Sequence, residues 1–190
     1  MSTALIIIDL IEDLIGATGR ANQCHQQVEQ HAVIAHVNTA AAYARVRKIP
    51  VVWVRVGFAD DYHDIPPHSP LFARLKQVGA LRRSSPGCEW ASGLEIYEQD
   101  VCFEKTAVSA FAGNNLLVWL QQHRYHHLLL GGVSTPLAIE STARQAHDNG
   151  FQVTVLQDLC AAPSEELHLQ SLETLQNLAE ITRSQRWMKR

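Results

Sequence analysis

The chain has 190 residues, 46% of them apolar, with sixteen basic and nineteen acidic side chains and a formal charge of -3. That length is enough to bury one substantial core and fits a single domain over 1–190. The nearly balanced charge gives no strong positive field for a nucleic-acid backbone or an anionic membrane, and the ten histidines alter it only at lower pH.

The first element is ALIIIDL (4–10), β-branched and apolar without alternation, which suits a strand covered on both faces. Its apolar run lacks a basic leader and is far too short to span a bilayer. Helical spacing of Val28, Ala32, Val33, Ile34, Val37 and Ala41 predicts a helix over 25–46, and KIPVVWVRV then supplies a second strand. Residues 57–93 are irregular, interrupted by Pro66, Pro67, Pro70 and Pro86, with a short helix near LFARLKQ. A connection this long serves as an active-site loop or lid, or as an insertion that binds a partner.

Further on, VCFEK (101–105) reads as a third strand, NNLLVWLQQH as a helix and HHLLLGG as a fourth strand. STARQAHDNG continues a helix to a glycine C-cap at Gly150. FQVTVLQD is the fifth strand, EELHLQSLETLQNLA a helix, and EITRS a short last strand. The alternation predicts a three-layer α/β/α sandwich with a mainly parallel six-stranded sheet.

In such a sheet, ligands bind beyond the carboxyl ends of the strands. Asp9, Lys105 and the turn over 132–138 all fall there. Asp9 follows four apolar residues; burial raises a carboxylate's pKa and a nearby lysine lowers it, so the balance decides its proton chemistry. The alternative is a carboxylate that only caps local amides. Lys105 is positioned to stabilise negative charge or to hold Asp9 ionised, against the plainer role of pairing with Glu104 or facing solvent. In the turn, Thr135 is the expected N-cap and Pro136 the first helical residue, leaving amides of the next turn for an anion or a carbonyl oxygen. A cysteine at 138 would there have a lowered thiol pKa. Ala138 excludes covalent thiol chemistry from that position.

LIIIDLIEDL, FEKTAVSAFAGNNL, GGVSTPLAIESTARQAHDNGFQVTVLQDLCAA and EELH, in that order, resemble the isochorismatase-like hydrolase superfamily. The resemblance implies strand order 3-2-1-4-5-6, a cis peptide between Val133 and Ser134 beside an oxyanion-binding turn, and homo-oligomers, dimers among them. Of the superfamily's aspartate, lysine and cysteine triad, it places the first two at Asp9 and Lys105 and the third at Ala138. It therefore implies a branch lacking the nucleophilic cysteine. One such activity is a non-covalent hydrolysis, in which the aspartic acid protonates a small carboxylated vinyl ether and water completes cleavage. A catalytically inactive metabolite-binding or scaffolding protein is the competing class, and an amidohydrolase with a relocated nucleophile the third.

Ile11 stands where many relatives carry a glutamine. Arg82, Arg83 and Trp90 are candidates for a carboxylate clamp and an aromatic wall. Asp61, His63 and His68, in DDYHDIPPH, resemble the metal site of nicotinamidases, although no metal is expected without the cysteine that those enzymes use. Cys24, Cys88, Cys102 and Cys160 lack a CxxC pair and read as reduced or buried thiols of a cytoplasmic protein. Cys102 is expected to be buried in its strand and Cys160 to follow the fifth strand. No phosphate loop or GxGxxG is present, so no nucleotide cofactor is expected. The expected partner is a small-molecule substrate.

Overall fold

A computed structural model describes residues 2–189. Strand β1 (Thr3–Ile8) lies at the centre of its sheet. Side chains of a strand alternate between faces, and here both faces are covered: Ala4, Ile6 and Ile8 enter one hydrophobic cluster, while Leu5 and Ile7 enter another. An unbroken apolar run is the sequence such a strand requires.

After β1 come a one-turn helix α1 (Glu12–Ile15), α2 (His25–Gln30), α3 (Val33–Val46) and β2 (Val51–Val56). The single helix expected over 25–46 is thus two. Ala32 separates them in the left-handed region at φ 49°. The apolar spacing runs through this break because Val28, Val33 and Val37 still bury into the same cluster, and one left-handed residue leaves no mark on periodicity.

Next follow α4 (Pro70–Gln77), a 3-10 turn at Pro86–Cys88, β3 (Val101–Lys105), α5 (Leu116–Gln122) and β4 (His127–Val133). A π-type turn (Thr135–Ile139) leads into α6 (Glu140–Asp148). The chain ends through β5 (Gln152–Ala161), α7 (Glu165–Leu175), β6 (Glu180–Thr182) and α8 (Ser184–Trp187).

All strand pairs are parallel, and the order is β3-β2-β1-β4-β5-β6. Residues of α2, α3 and α8 cover one face, and residues of α5, α6 and α7 the other. The order reverses between β1 and β4, which places the ligand-binding crevice of this architecture at their carboxyl ends. Among the described residues, no helix is long and apolar enough to cross a membrane.

The segment over 57–93 has a hydrophobic cluster of its own. Phe58, Tyr62, Phe72 and Leu81 pack there with Ile11 and Val56, Phe72 meeting Phe58 edge-on at 5.2 Å between ring centroids. The Tyr62 hydroxyl donates to the Ala80 carbonyl at 2.7 Å, and the buried Asp13 carboxylate accepts the Leu81 amide at 2.7 Å. Prolines and polar residues mark this stretch as a loop in sequence, while its aromatic residues fix it in space.

Two cysteines depart from expectation. Cys102 is exposed, because β3 is an edge strand whose outward residues alternate with covered ones. Cys160 lies inside β5, which runs on to Ala161 and pairs Cys160 with Gly132 after an irregularity in register.

Candidate active site

Asp9 leaves β1 in the left-handed region at φ 61°, a conformation that aspartate tolerates better than bulkier residues. Its amide donates to the Val54 carbonyl at 2.8 Å, and its Oδ1 accepts the Val56 amide at 2.8 Å. Val56 ends β2 and is paired in register with Lys105, which ends β3. The lysine can therefore reach across the end of β2, and its Nζ stands 2.8 Å from Asp9 Oδ2.

Both groups are buried, Asp9 being 4% and Lys105 1% exposed. Lys105 Nζ also donates to the carbonyls of Ala107 at 3.0 Å and Val108 at 2.7 Å. An ammonium has three protons, and the carboxylate and two carbonyls take all of them. Lys105 pairs with Asp9 and not with Glu104, which binds Arg55 and Arg83. Burial pushes the Asp9 carboxyl above its ordinary value of 3.8, outweighing the Lys105 charge, the Lys105 hydrogen bond and the Val56 amide, all of which lower it. The capping role is thus present, and burial makes the same carboxyl easier to protonate than an ordinary one.

At the end of β4, Gly132 lies beside Ile8. A Cβ there would stand 2.0 Å from the Ile8 carbonyl oxygen, and its φ is 126°, so only glycine permits this approach. The Val133–Ser134 peptide is cis, as the resemblance implies. The N-cap of the following turn is Ser134, one residue before the expected Thr135; its backbone is extended, and its carbonyl accepts the amides of Leu137 and Ile139, each at 3.2 Å. Thr135 is already inside the turn. Its hydroxyl meets His168 Nδ1 of α7 at 2.8 Å. Because Leu137 and Ile139 are engaged, the turn offers fewer free donors than the sequence suggests. The amides of Ser134 and Thr135 have no protein acceptor among the described residues.

Asp9, Lys105, Ser134 and Ala138 line one cavity of about 130 Å³. Ala138 is 3% exposed and offers only its methyl group. Thr135, Arg82 and Trp90 do not line it. Trp90 stands edge-on to Trp53 at 5.9 Å and beneath the Arg55 guanidinium. Arg82 is joined to Phe58 through a β-bridge. Arg83 pairs with Asp64 at 2.6 Å.

The nicotinamidase-like residues do not gather. Asp61 and His63 pair with each other at 2.7 Å on the surface, and among the described residues no group of three or more His, Cys, Asp or Glu is arranged to hold a metal ion.

Sequence reasoning missed most of the cavity wall. Leu71, Phe72 and Leu75 of α4 close it, with Leu14, Leu81, Val108, Gln23 and Cys24. The signal for α4 was present in PLFARLKQ, whose Leu71, Phe72 and Leu75 share one helical face. For Gln23 and Cys24 there was none, because they approach through the chain path between α1 and α2. Burial pushes the thiol of Cys24 up to about 12, that of Cys88 up to about 11 and that of Cys160 up to about 12.

A doubly covered parallel sheet with an aspartate–lysine pair at its switch point and a cis turn after the neighbouring strand defines an α/β/α protein with that buried pair on the wall of a cavity. The chain belongs to the isochorismatase family, whose isochorismatase domain matches residues 3–186. It is 30% identical over 174 residues to an uncharacterised isochorismatase family protein of Escherichia coli O157:H7, covering 90% of this chain and 86% of that one. It is likewise 30% identical over 187 residues to a "Probable inactive nicotinamidase" of Arabidopsis thaliana, covering 95% of this chain and 91% of the plant protein. In fold it is similar to the crystal structure of a cysteine hydrolase from Pseudomonas syringae pv. phaseolicola 1448A, with a TM-score of 0.90 at 20% identity over 99% of this chain and 91% of that one.

Proposed function

We propose that this protein belongs to a branch of the family without the nucleophilic cysteine, and that it hydrolyses a small vinyl ether or related metabolite by acid assistance. One observation carries the reading: the buried Asp9–Lys105 pair, 2.8 Å apart, stands on a cavity whose nucleophile corner is the methyl of Ala138. Protonated Asp9 donates its proton to the vinyl carbon, leaving an oxocarbenium ion. Water adds to that ion, the resulting hemiketal or hemiacetal collapses to a carbonyl compound and an alcohol, and a proton returns to Asp9. Lys105 fixes the carboxyl group and stabilises its anion after transfer. The Ser134 amide, on the cavity wall, is a donor available to orient a substrate oxygen.

A second reading, binding without turnover, is favoured by the plant relative's description as inactive and by the same lack of a thiol. A relocated thiol is disfavoured, because Cys24, the one cysteine on the cavity wall among the described residues, is held neutral by burial. A panel of vinyl ethers and amides offered to the wild type and to D9A separates these readings. The hydrolase reading expects vinyl-ether cleavage that vanishes in D9A. Saturable binding with no cleavage across the panel establishes the binding protein instead.

A further inference from the structure

We propose that the cavity accepts an uncharged substrate, oriented at the mouth by the Gln23 side-chain amide. This rests on the Asp9 cavity being the active site. Among the described residues, Lys105 is the one cationic side chain on the wall. Its three protons point at Asp9, the Ala107 carbonyl and the Val108 carbonyl, so none projects toward a ligand. With Asp9 protonated, as the acid step requires, the same three acceptors still hold those protons.

Of the neighbouring arginines, Arg82 does not line the wall, its Nε being buried without a hydrogen-bond partner among the described residues, and three others are engaged elsewhere. Arg20 donates to the Gly79 carbonyl, Arg55 pairs with Glu104, and Arg83 binds Asp64 and Glu104. The carboxylated vinyl ether suggested by the family resemblance would therefore bury its anion against leucine, valine and phenylalanine side chains, with no cationic N–H among the described wall residues free to pair with it. An unpaired buried charge is among the least favourable states in a protein.

What the wall does offer is neutral. Gln23 is exposed at the cavity and makes no side-chain hydrogen bond among the described residues, leaving its carbonyl and both amide protons for a ligand. The Ser134 hydroxyl is likewise unengaged. Neutral acceptors and donors select by hydrogen bonding, and a site with such groups rejects an analogue that leaves them unpaired. The substrate class is a small enol ether bearing one uncharged hydrogen-bonding substituent, such as an amide or hydroxyl.

The test uses two probes of nearly equal shape, 3,4-dihydro-2H-pyran-2-carboxamide and 3,4-dihydro-2H-pyran-2-carboxylate. Binding to the full chain is measured by calorimetry at neutral pH, and cleavage by release of the ring-opened aldehyde. The wild type is expected to bind the carboxamide about tenfold or more tightly than the carboxylate, and Gln23→Leu to bind the carboxamide about tenfold more weakly than the wild type. Gln23 lies at the exposed mouth, and a melting temperature unchanged from the wild type accompanies the expected result. Equal or tighter binding of the carboxylate overturns the inference, as does unchanged carboxamide affinity in Gln23→Leu. Selective carboxamide binding without cleavage keeps this inference and removes the hydrolase reading. Cleavage of the carboxylate with equal affinity does the reverse, and binding of neither probe at millimolar concentration removes both.

Discussion

The turn after β1 and the turn after β4 line the same cavity and are built on opposite plans. The first presents a side chain, the Asp9 carboxylate, fixed by a backbone amide and a lysine that is itself fixed by two carbonyls. The second presents backbone and empty space, with Ala138 at its corner. Yet the second is no less ordered: Gly132 is wedged against Ile8, Thr135 is tied to His168, and Ile139 is fully buried. The difference teaches that a charged group needs its surroundings built around it, whereas the turn after β4 is held by packing and backbone geometry around a methyl group.

The largest effect is expected where the charged plan is broken. In Asp9→Asn the carboxyl proton is gone, and turnover should fall by about 10²–10⁴-fold, the usual contribution of general acid catalysis. In the wild type the acid must be protonated, so kcat/KM should be full at low pH and fall as pH rises through a pKa above 3.8. A pH–rate profile on any cleaved substrate checks both points; a profile that rises with pH makes Asp9 a base and overturns the acid role.

Removing the partner tests the same turn through stability. Lys105→Met leaves a buried carboxyl without its cation and should cost about 3–5 kcal/mol in urea unfolding. Asp9→Asn combined with Lys105→Met should cost less than the sum of the two single changes, because each removes what the other needs. Additive losses would mean that the pair acts as two independent residues.

For the second turn, His168→Asn should cost about 1 kcal/mol through the bond to Thr135. Burial, helped by the neighbouring His31, holds the His168 imidazole below 6.5. The folded protein therefore binds this proton less readily than the unfolded chain. Its contribution to stability is complete above pH 6.5 and is lost as pH falls through the lower folded value. His168→Asn should flatten that acid-side loss, which thermal melts across pH would register.

The smallest change is Ala138→Cys, made in a Cys102→Ser background because Cys102 is exposed. If residue 138 faces the cavity between Asp9 and the free amides, its thiol should react with iodoacetamide faster than an ordinary surface cysteine, with little change in melting temperature. Labelling no faster than a surface thiol would separate the two turns after all.

Much of this arrangement was legible because it rests on periodicity and strand ends. ALIIIDL announces a strand covered on both sides, and the placement of Asp9, Lys105 and Ala138 after three strands follows once the sheet is parallel. The break at Ala32 was not legible, since a single left-handed residue preserves the burial of Val28 and Val33. Nor was the saturation of Lys105, which depends on two backbone carbonyls whose direction no side-chain pattern encodes. Arg82 and Trp90 were drawn to the site by their chemistry, but the path of residues 57–93 sends them elsewhere and brings Leu71, Phe72 and Leu75 instead.

The cluster of Phe58, Tyr62, Phe72 and Leu81 gives that segment packing of its own, outside the two clusters that clamp the sheet. Roof and floor of the cavity are therefore separately supported. On the proposed reading, exchanges at Leu71 or Leu75 over evolutionary time would redraw which molecule fits while Asp9 and Lys105 stay as they are, so new ligands would be reached without rebuilding the charged pair.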